Sequence, residues 1–174
     1  MSAMQPATLL GLALGIPLTG ALLISLCSRW PNLREGVTLI TAAALFTCII
    51  NLLPSVMAGE RPELLLVEFL PGLPLQLMLE PLGMLFALIA SGLWIINSLY
   101  SIGYMRGNNE AHQTGFYVCF AVALAATMGI ALAGNLLTLF LFYEALTLST
   151  YPLVTHKRNA NALAGGRRYL GYLL

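Results

Sequence analysis

Five apolar stretches, each of 18 residues or more, alternate with short polar connections along this chain. They run over 7–27, 37–57, 82–105, 116–133 and 135–155. A bilayer core ~30 Å thick takes ~20 apolar residues to cross as a helix. The pattern therefore predicts five transmembrane helices, with Pro17 and Pro54 as soft interruptions in the first two. A sixth apolar run, YLGYLL, follows the basic pair Arg167-Arg168 and predicts the start of a sixth helix over 167–174. The expected fold class is an all-α integral membrane protein, with residues 1–174 as a single, incomplete membrane domain.

One segment breaks the pattern. Ala58–Leu79 reads AGERPELLLVEFLPGLPLQLML, two short apolar runs on either side of Pro71-Gly72. Each run is too short to span as a helix, and Pro-Gly is a turn signal. The segment predicts a small extracytoplasmic hairpin. The fourth stretch is the opposite case, full of Ala and Gly (AVALAATMGIALAG). Small residues let helices approach closely in lipid, so this helix belongs inside a bundle. It is joined to the fifth by about two residues, which forces an antiparallel pair.

Composition agrees: 59% of residues are hydrophobic and 9% charged, where a soluble domain has ~25% charged residues. A net charge of +1 argues against nucleic acid as a partner. Cys27, Cys48 and Cys119 all lie in apolar stretches without CxxC spacing, and read as packing residues. His112 and His156 stand singly in polar connections, so the chain offers no metal-ligand pattern and no cofactor motif. No Lys or Arg precedes the first stretch and no A-x-A site follows it, as a retained helix would have it.

Charge also fixes an expected orientation. Arg29, Arg34, Arg106, Lys157, Arg158, Arg167 and Arg168 fall in alternate connections on one side, and Arg61 alone on the other. Positively charged loops stay cytoplasmic. That places the N-terminus and the Glu-rich hairpin outside, and the HKR…GGRR loop in the cytoplasm.

The fifth stretch carries the candidate chemistry. It reads GNLLTLFLFYEALTLSTYPLVT over 134–155, and Glu144 is its only ionisable acid or base apart from tyrosine. Glu144 stands ~15 Å from either end of that stretch, near the bilayer midplane. Placing an acid there costs ~2.5–3.5 kcal/mol on insertion scales, and such residues mark ion and proton pathways. Thr147 and Tyr151 share its helical face and Thr155 continues the stripe, with Leu148 between. Leu139, Phe142, Leu146 and Leu153 form the other side. The bland alternative is a protonated acid that only hydrogen-bonds a neighbouring helix.

The runs LYSIGYM (99–105) and FYVCFAVALAATMGIALAGNLLTLFLFYEALTLSTYPLVTHK (116–157) resemble the antiporter-like membrane subunit family. That family holds the large subunits of multisubunit monovalent cation/proton antiporters. It also holds the proton-pumping membrane subunits of respiratory complex I and of membrane-bound hydrogenases. Within the antiporters, the likeness is to the D-type large subunit. VEFLPGLPLQLMLEPLGMLF resembles the family's outer hairpin and third helix, with Glu80 where Asp is usual.

The resemblance implies that Glu144 is the family's essential membrane glutamate, paired in family members with a lysine on a later helix. It places Lys157, Arg167 and Arg168 near the cytoplasmic entrance, with interfacial anchoring as their plainer role. It also implies other membrane subunits as partners, protons with Na+ or K+ as the ions moved, and a bacterial inner membrane as the location. Family members have about fourteen spans, so the partner lysine lies outside this chain. Two further readings stay open: a scaffolding membrane subunit, and a non-redox subunit of an NADH-quinone oxidoreductase or hydrogenase complex, whose oxidoreductase chemistry would sit on other subunits.

Overall fold

The computed structural model describes residues 5–156 and 160–173. Its helices are α1 (Pro6–Leu26), α2 (Pro31–Met57), α3 (Pro81–Gly107), α4 (Gln113–Ala131), α5 (Leu136–Val154) and α6 (Ala160–Leu173). α1 to α5 are each long and apolar enough to cross a membrane, as their hydrophobic pattern requires. This is a multi-pass membrane protein. α1, α2 and α3 each open on a proline, whose fixed φ suits the first turn and whose missing N–H costs nothing there. The sixth helix begins at Ala160, seven residues before the start expected at 167. Ala160, Ala162, Leu163 and Ala164 favour helix over the loop that the polar HKRN run implies.

α4 is the central helix. It packs on α1 and α5 and touches α2 and α3, while α1–α2 and α2–α3 pack as neighbouring pairs. Ala121, Ala125 and Ala126 are buried in it. A Cβ added at Gly129 would run into the Phe142 ring of α5, and one at Gly83 of α3 into the Ala131 carbonyl. Lipid tails are as apolar as leucine, so close van der Waals packing, not escape from water, holds such helices together. Glycine and alanine supply that closeness here.

Ala58–Leu79 folds as the predicted hairpin. β1 (Glu63–Leu70) pairs antiparallel with β2 (Leu73–Met78), with two irregularities in register. Gly72 takes φ +84° in the turn, a conformation that glycine adopts without strain. The Gly72 N–H donates to the Glu68 carboxylate at 3.2 Å. β2 then lies along the α4–α5 link. Met78 N–H donates to the Leu132 carbonyl at 2.8 Å, and Gly134 N–H to that of Gln76 at 2.9 Å. The Asn135 amide donates to the Pro74 carbonyl at 2.7 Å.

These contacts set where α5 starts. Asn135 is its N-cap, and its side-chain oxygen accepts from the Thr138 N–H at 2.8 Å. Such a cap stabilises a helix by ~1 kcal/mol. The Thr138 hydroxyl in turn accepts from Gln76 N–H at 3.0 Å. The hairpin thus pins the first turn of α5. One end of the bundle gathers the start of α1, the hairpin and the α4–α5 link. The opposite end gathers the α1–α2, α3–α4 and α5–α6 links, with Arg34 and Arg106.

Candidate functional site

α5 lies at the margin of the bundle. Leu136, Phe140, Tyr143 and Leu148 are exposed along it, and α4, α6 and β2 pack on it. Glu144 stands at its middle, eight residues from Leu136 and ten from Val154. Its side chain is half-buried. Among the described residues it has no hydrogen-bond or ion-pair partner. A carboxyl group in that position has two ways to lower its free energy: hold a proton, or meet a base brought from elsewhere.

The residues on its face are covered to different degrees. Thr147 and Thr155 are buried, at 3% and 7% exposure, and Tyr151 is half-buried. α6 supplies part of that cover: a Cβ at Gly166 would strike Thr155 and Tyr151. The Tyr169 and Thr150 hydroxyls are 2.6 Å apart. On the other side of α5, Phe142 packs against Gly129 of α4, while Leu139 is exposed.

The C-terminal half of α5 is unusual as a helix. Pro152 has no N–H to donate to the Leu148 carbonyl, so the ladder misses a bond there. Ser149 and Thr150 hydroxyls turn back onto the Leu146 carbonyl at 2.9 and 2.8 Å, and Thr155 onto Tyr151 at 2.9 Å. Such back-bonding competes with the backbone ladder and bends helices. The half of α5 between Glu144 and its C-terminal end therefore carries free polar capacity inside an apolar span.

Arg167 and Arg168 are exposed at the start of the α6 segment that follows Gly166. Lys157 lies outside the described residues. Among the described residues, no three His, Cys, Asp or Glu side chains come together as metal ligands. A cleft of about 650 Å³ opens between α3 and α4, away from Glu144, with Asn97 and Thr127 in an otherwise largely apolar lining.

A second charged site went unread in the sequence. At the end of the bundle opposite the hairpin, Glu35 is 5% exposed and Arg34 4%. The Glu35 carboxylate accepts from Arg106 of α3, through Nε at 3.1 Å and through a terminal nitrogen. Arg34 reaches across to α4, donating to Gln113 Oε1 at 2.7 Å and Thr114 Oγ1 at 3.1 Å. Its guanidinium lies 5.2 Å from the centre of the Tyr117 ring. The available signal was an adjacent Arg-Glu pair at the edge of an apolar stretch. The third member, Arg106, is 71 residues away from Glu35 and only the fold brings it near.

No family model matches the chain. It is similar to the Na(+)/H(+) antiporter subunit A1 of Staphylococcus aureus strain bovine RF122 / ET3-1, with 29% identity over 160 residues. That match covers 89% of this chain and 20% of the relative. The subunit A1 of strain Newman matches at the same identity and coverage. The chain thus spans about a fifth of the length of the curated relatives it matches. Among solved structures it is similar to a chain of the membrane-bound sulfane sulfur reductase, an archaeal respiratory membrane complex. The TM-score is 0.72 at 25% identity, covering 87% of this chain and 24% of that one. The resemblance to the antiporter-like membrane subunits holds, across both their antiporter and their respiratory branches. These relatives are of the A1 type, so the D type expected from the sequence has no support among them.

Proposed function

We propose that this chain forms part of an ion-translocating membrane subunit that exchanges protons for Na+ or K+ within a multisubunit assembly. One observation carries the reading: the lone carboxyl group of α5 stands at mid-helix, half-buried, without a partner among the described residues. The names of the antiporter relatives support it. In the mechanism that the resemblance implies, a base approaching Glu144 favours the carboxylate and its withdrawal favours the acid. Alternating the two loads and releases one proton. α5 fits such a part because Glu144 is only half-buried and its neighbours Phe140, Tyr143 and Leu148 are exposed, which leaves a further helix room to approach at mid-helix.

The likeness to a respiratory complex favours a second reading, in which the same carboxyl group works in an assembly powered by electron transfer. Vesicles containing the complete assembly separate the two. With a pH gradient established and no electron donor present, a pulse of Na+ or K+ is expected to dissipate the gradient. Formation of a pH gradient on adding an electron donor, with no response to the cation pulse alone, would favour the respiratory reading. Indifference to both would sink the proposal.

The proposed orientation puts the N-terminus and hairpin outside a bacterial inner membrane, and the Arg34–Arg106 end in the cytoplasm. It has its own check. In a background with Cys27, Cys48 and Cys119 replaced, Asn108→Cys is expected to react with an impermeant thiol reagent only from the cytoplasmic side. Glu60→Cys is expected to react only from the outside. The reverse pattern would invert the topology.

A further inference from the structure

The two histidines, 44 residues apart in sequence, line one cleft. It measures about 230 Å³ and lies where the start of α4 meets the end of α5. His112, Phe116 and Cys119 form one wall, and Tyr151, Thr155 and His156 the other. His112 is exposed and caps α4 in the left-handed region at φ 57°. His156 is set deeper. Its ring stands edge-on to Phe116 with centroids 5.8 Å apart. Its Nε2 is buried and, among the described residues, has no hydrogen-bond partner. A buried polar nitrogen left unpaired is costly unless water reaches it, and this cleft is roomy enough for several waters at ~30 Å³ each.

The inner wall leads toward Glu144. Thr155 and Tyr151 border the cleft, and Thr147 and Glu144 follow at helical spacings of four and then three residues. Three hydroxyl side chains thus stand at successive turns over ~12 Å of helix, and Glu144 lies ~16 Å along α5 from Thr155. A hydroxyl can both donate and accept, as a proton-passing chain requires, and Thr155 joins the chain when its O–H turns from the Tyr151 carbonyl.

We infer that this cleft is the proton entrance to Glu144, with His156 as the group that takes the proton from bulk water. The inference rests on the reading of Glu144 as the proton-carrying group. Neutral His156 accepts a proton at Nε2 from water in the cleft. The imidazolium then releases one proton to water held by Thr155 and Tyr151, and the chain delivers one to the Glu144 carboxylate. His112, at the outer rim, is a second acceptor that raises the chance of capture. An imidazole suits the task because it has two ring nitrogens, so it can take a proton at one and release one from the other. The titratable groups facing His156 are His112 and Cys119 from the α4 side and Tyr151 from α5, and no carboxylate or guanidinium lines the cleft among the described residues.

The test is proton flux in vesicles carrying the complete assembly. His156→Ala is expected to cut flux at pH 7.5 by at least about tenfold, less than the ~10²–10⁴-fold of a sole proton-transfer group because His112 remains as a second acceptor. Imidazole added to the buffer is expected to restore much of it, since a small base then fills the vacated space. His156→Gln keeps bulk and polarity but cannot titrate, and is expected to be equally slow; it decides the matter if the Ala variant fails to assemble. Full flux in either variant, or a loss in an assembled Ala variant that imidazole does not relieve, would overturn the entrance. Glu144→Gln separates the two proposals. A dead Glu144→Gln beside a fully active His156→Gln removes only the entrance, whereas an active Glu144→Gln removes the reading beneath it.

Discussion

Glu144→Gln is expected to reduce proton-coupled transport by roughly a hundredfold or more, the scale on which losing a proton-transfer group acts, while the amount of assembled protein stays nearly unchanged. The amide has almost the shape of the protonated acid and can still hydrogen-bond, but it can neither take up nor release a proton. Glu144 is half-buried and bonds to no described residue, so the exchange breaks no visible contact. Comparing flux in vesicles with the quantity of assembled complex checks both halves. Wild-type flux in the Gln variant would leave Glu144 with the plain role of a membrane-buried hydrogen-bonding acid. A parallel loss of protein would make that role structural. Glu144→Asp is a useful companion, because it keeps the titratable group but withdraws it by one methylene; partial flux is expected.

Some of this was legible in the chain and some was not, for separable reasons. Spans, the hairpin turn at Pro71-Gly72 and the isolation of Glu144 are local matters. Each is a run of apolar residues, a turn dipeptide or one charge in an apolar window, and the sequence displays all three. The N-cap role of Asn135 was equally local, in an Asn-Leu-Leu-Thr start. What could not be read was which helix faces which. Nothing in the sequence says that α6 covers Thr155 and Tyr151, or that Phe142 seats on Gly129. The histidines show this most plainly. Read singly in polar loops they predict nothing, and the cleft they share exists only because antiparallel packing sets the end of α5 beside the start of α4. The charged residues were misweighed for a related reason. Arg34 and Arg106 served as markers of the cytoplasmic side, and that use ignored Glu35, which both meet, and the burial of Arg34.

Glu35→Ala is expected to be among the most destabilising single changes outside the packed small residues. Glu35 is the only carboxylate among the described residues within salt-bridge reach of Arg34 and Arg106. Removing it leaves two guanidinium groups side by side. Arg106 is half-exposed, so it can turn outward and recover its hydration at little cost. Arg34 has no such escape. It is 4% exposed, pinned to Gln113 and Thr114, and its Nε already lacks a partner among the described residues. Breaking a buried pair by removing one member costs ~3–5 kcal/mol; the freedom of Arg106 puts the expectation at the lower end, about 3 kcal/mol. A drop in melting temperature of several degrees in detergent, with protein still inserted, is the observable. Arg106→Ala is expected to cost less, because Glu35 keeps Arg34 as a neighbour at 3.5 Å. The discriminating variant is Glu35→Leu with Arg34→Leu. It removes both buried charges together, and well-packed apolar residues often replace a buried pair at no loss. If the double variant melts above Glu35→Ala, the cost of the single change is the stranded charge on Arg34. If it melts as low or lower, the cluster contributes through the shape and hydrogen bonds that tie α2, α3 and α4 together at this end of the bundle. An unchanged melting temperature in Glu35→Ala would show that the ion pair holds nothing.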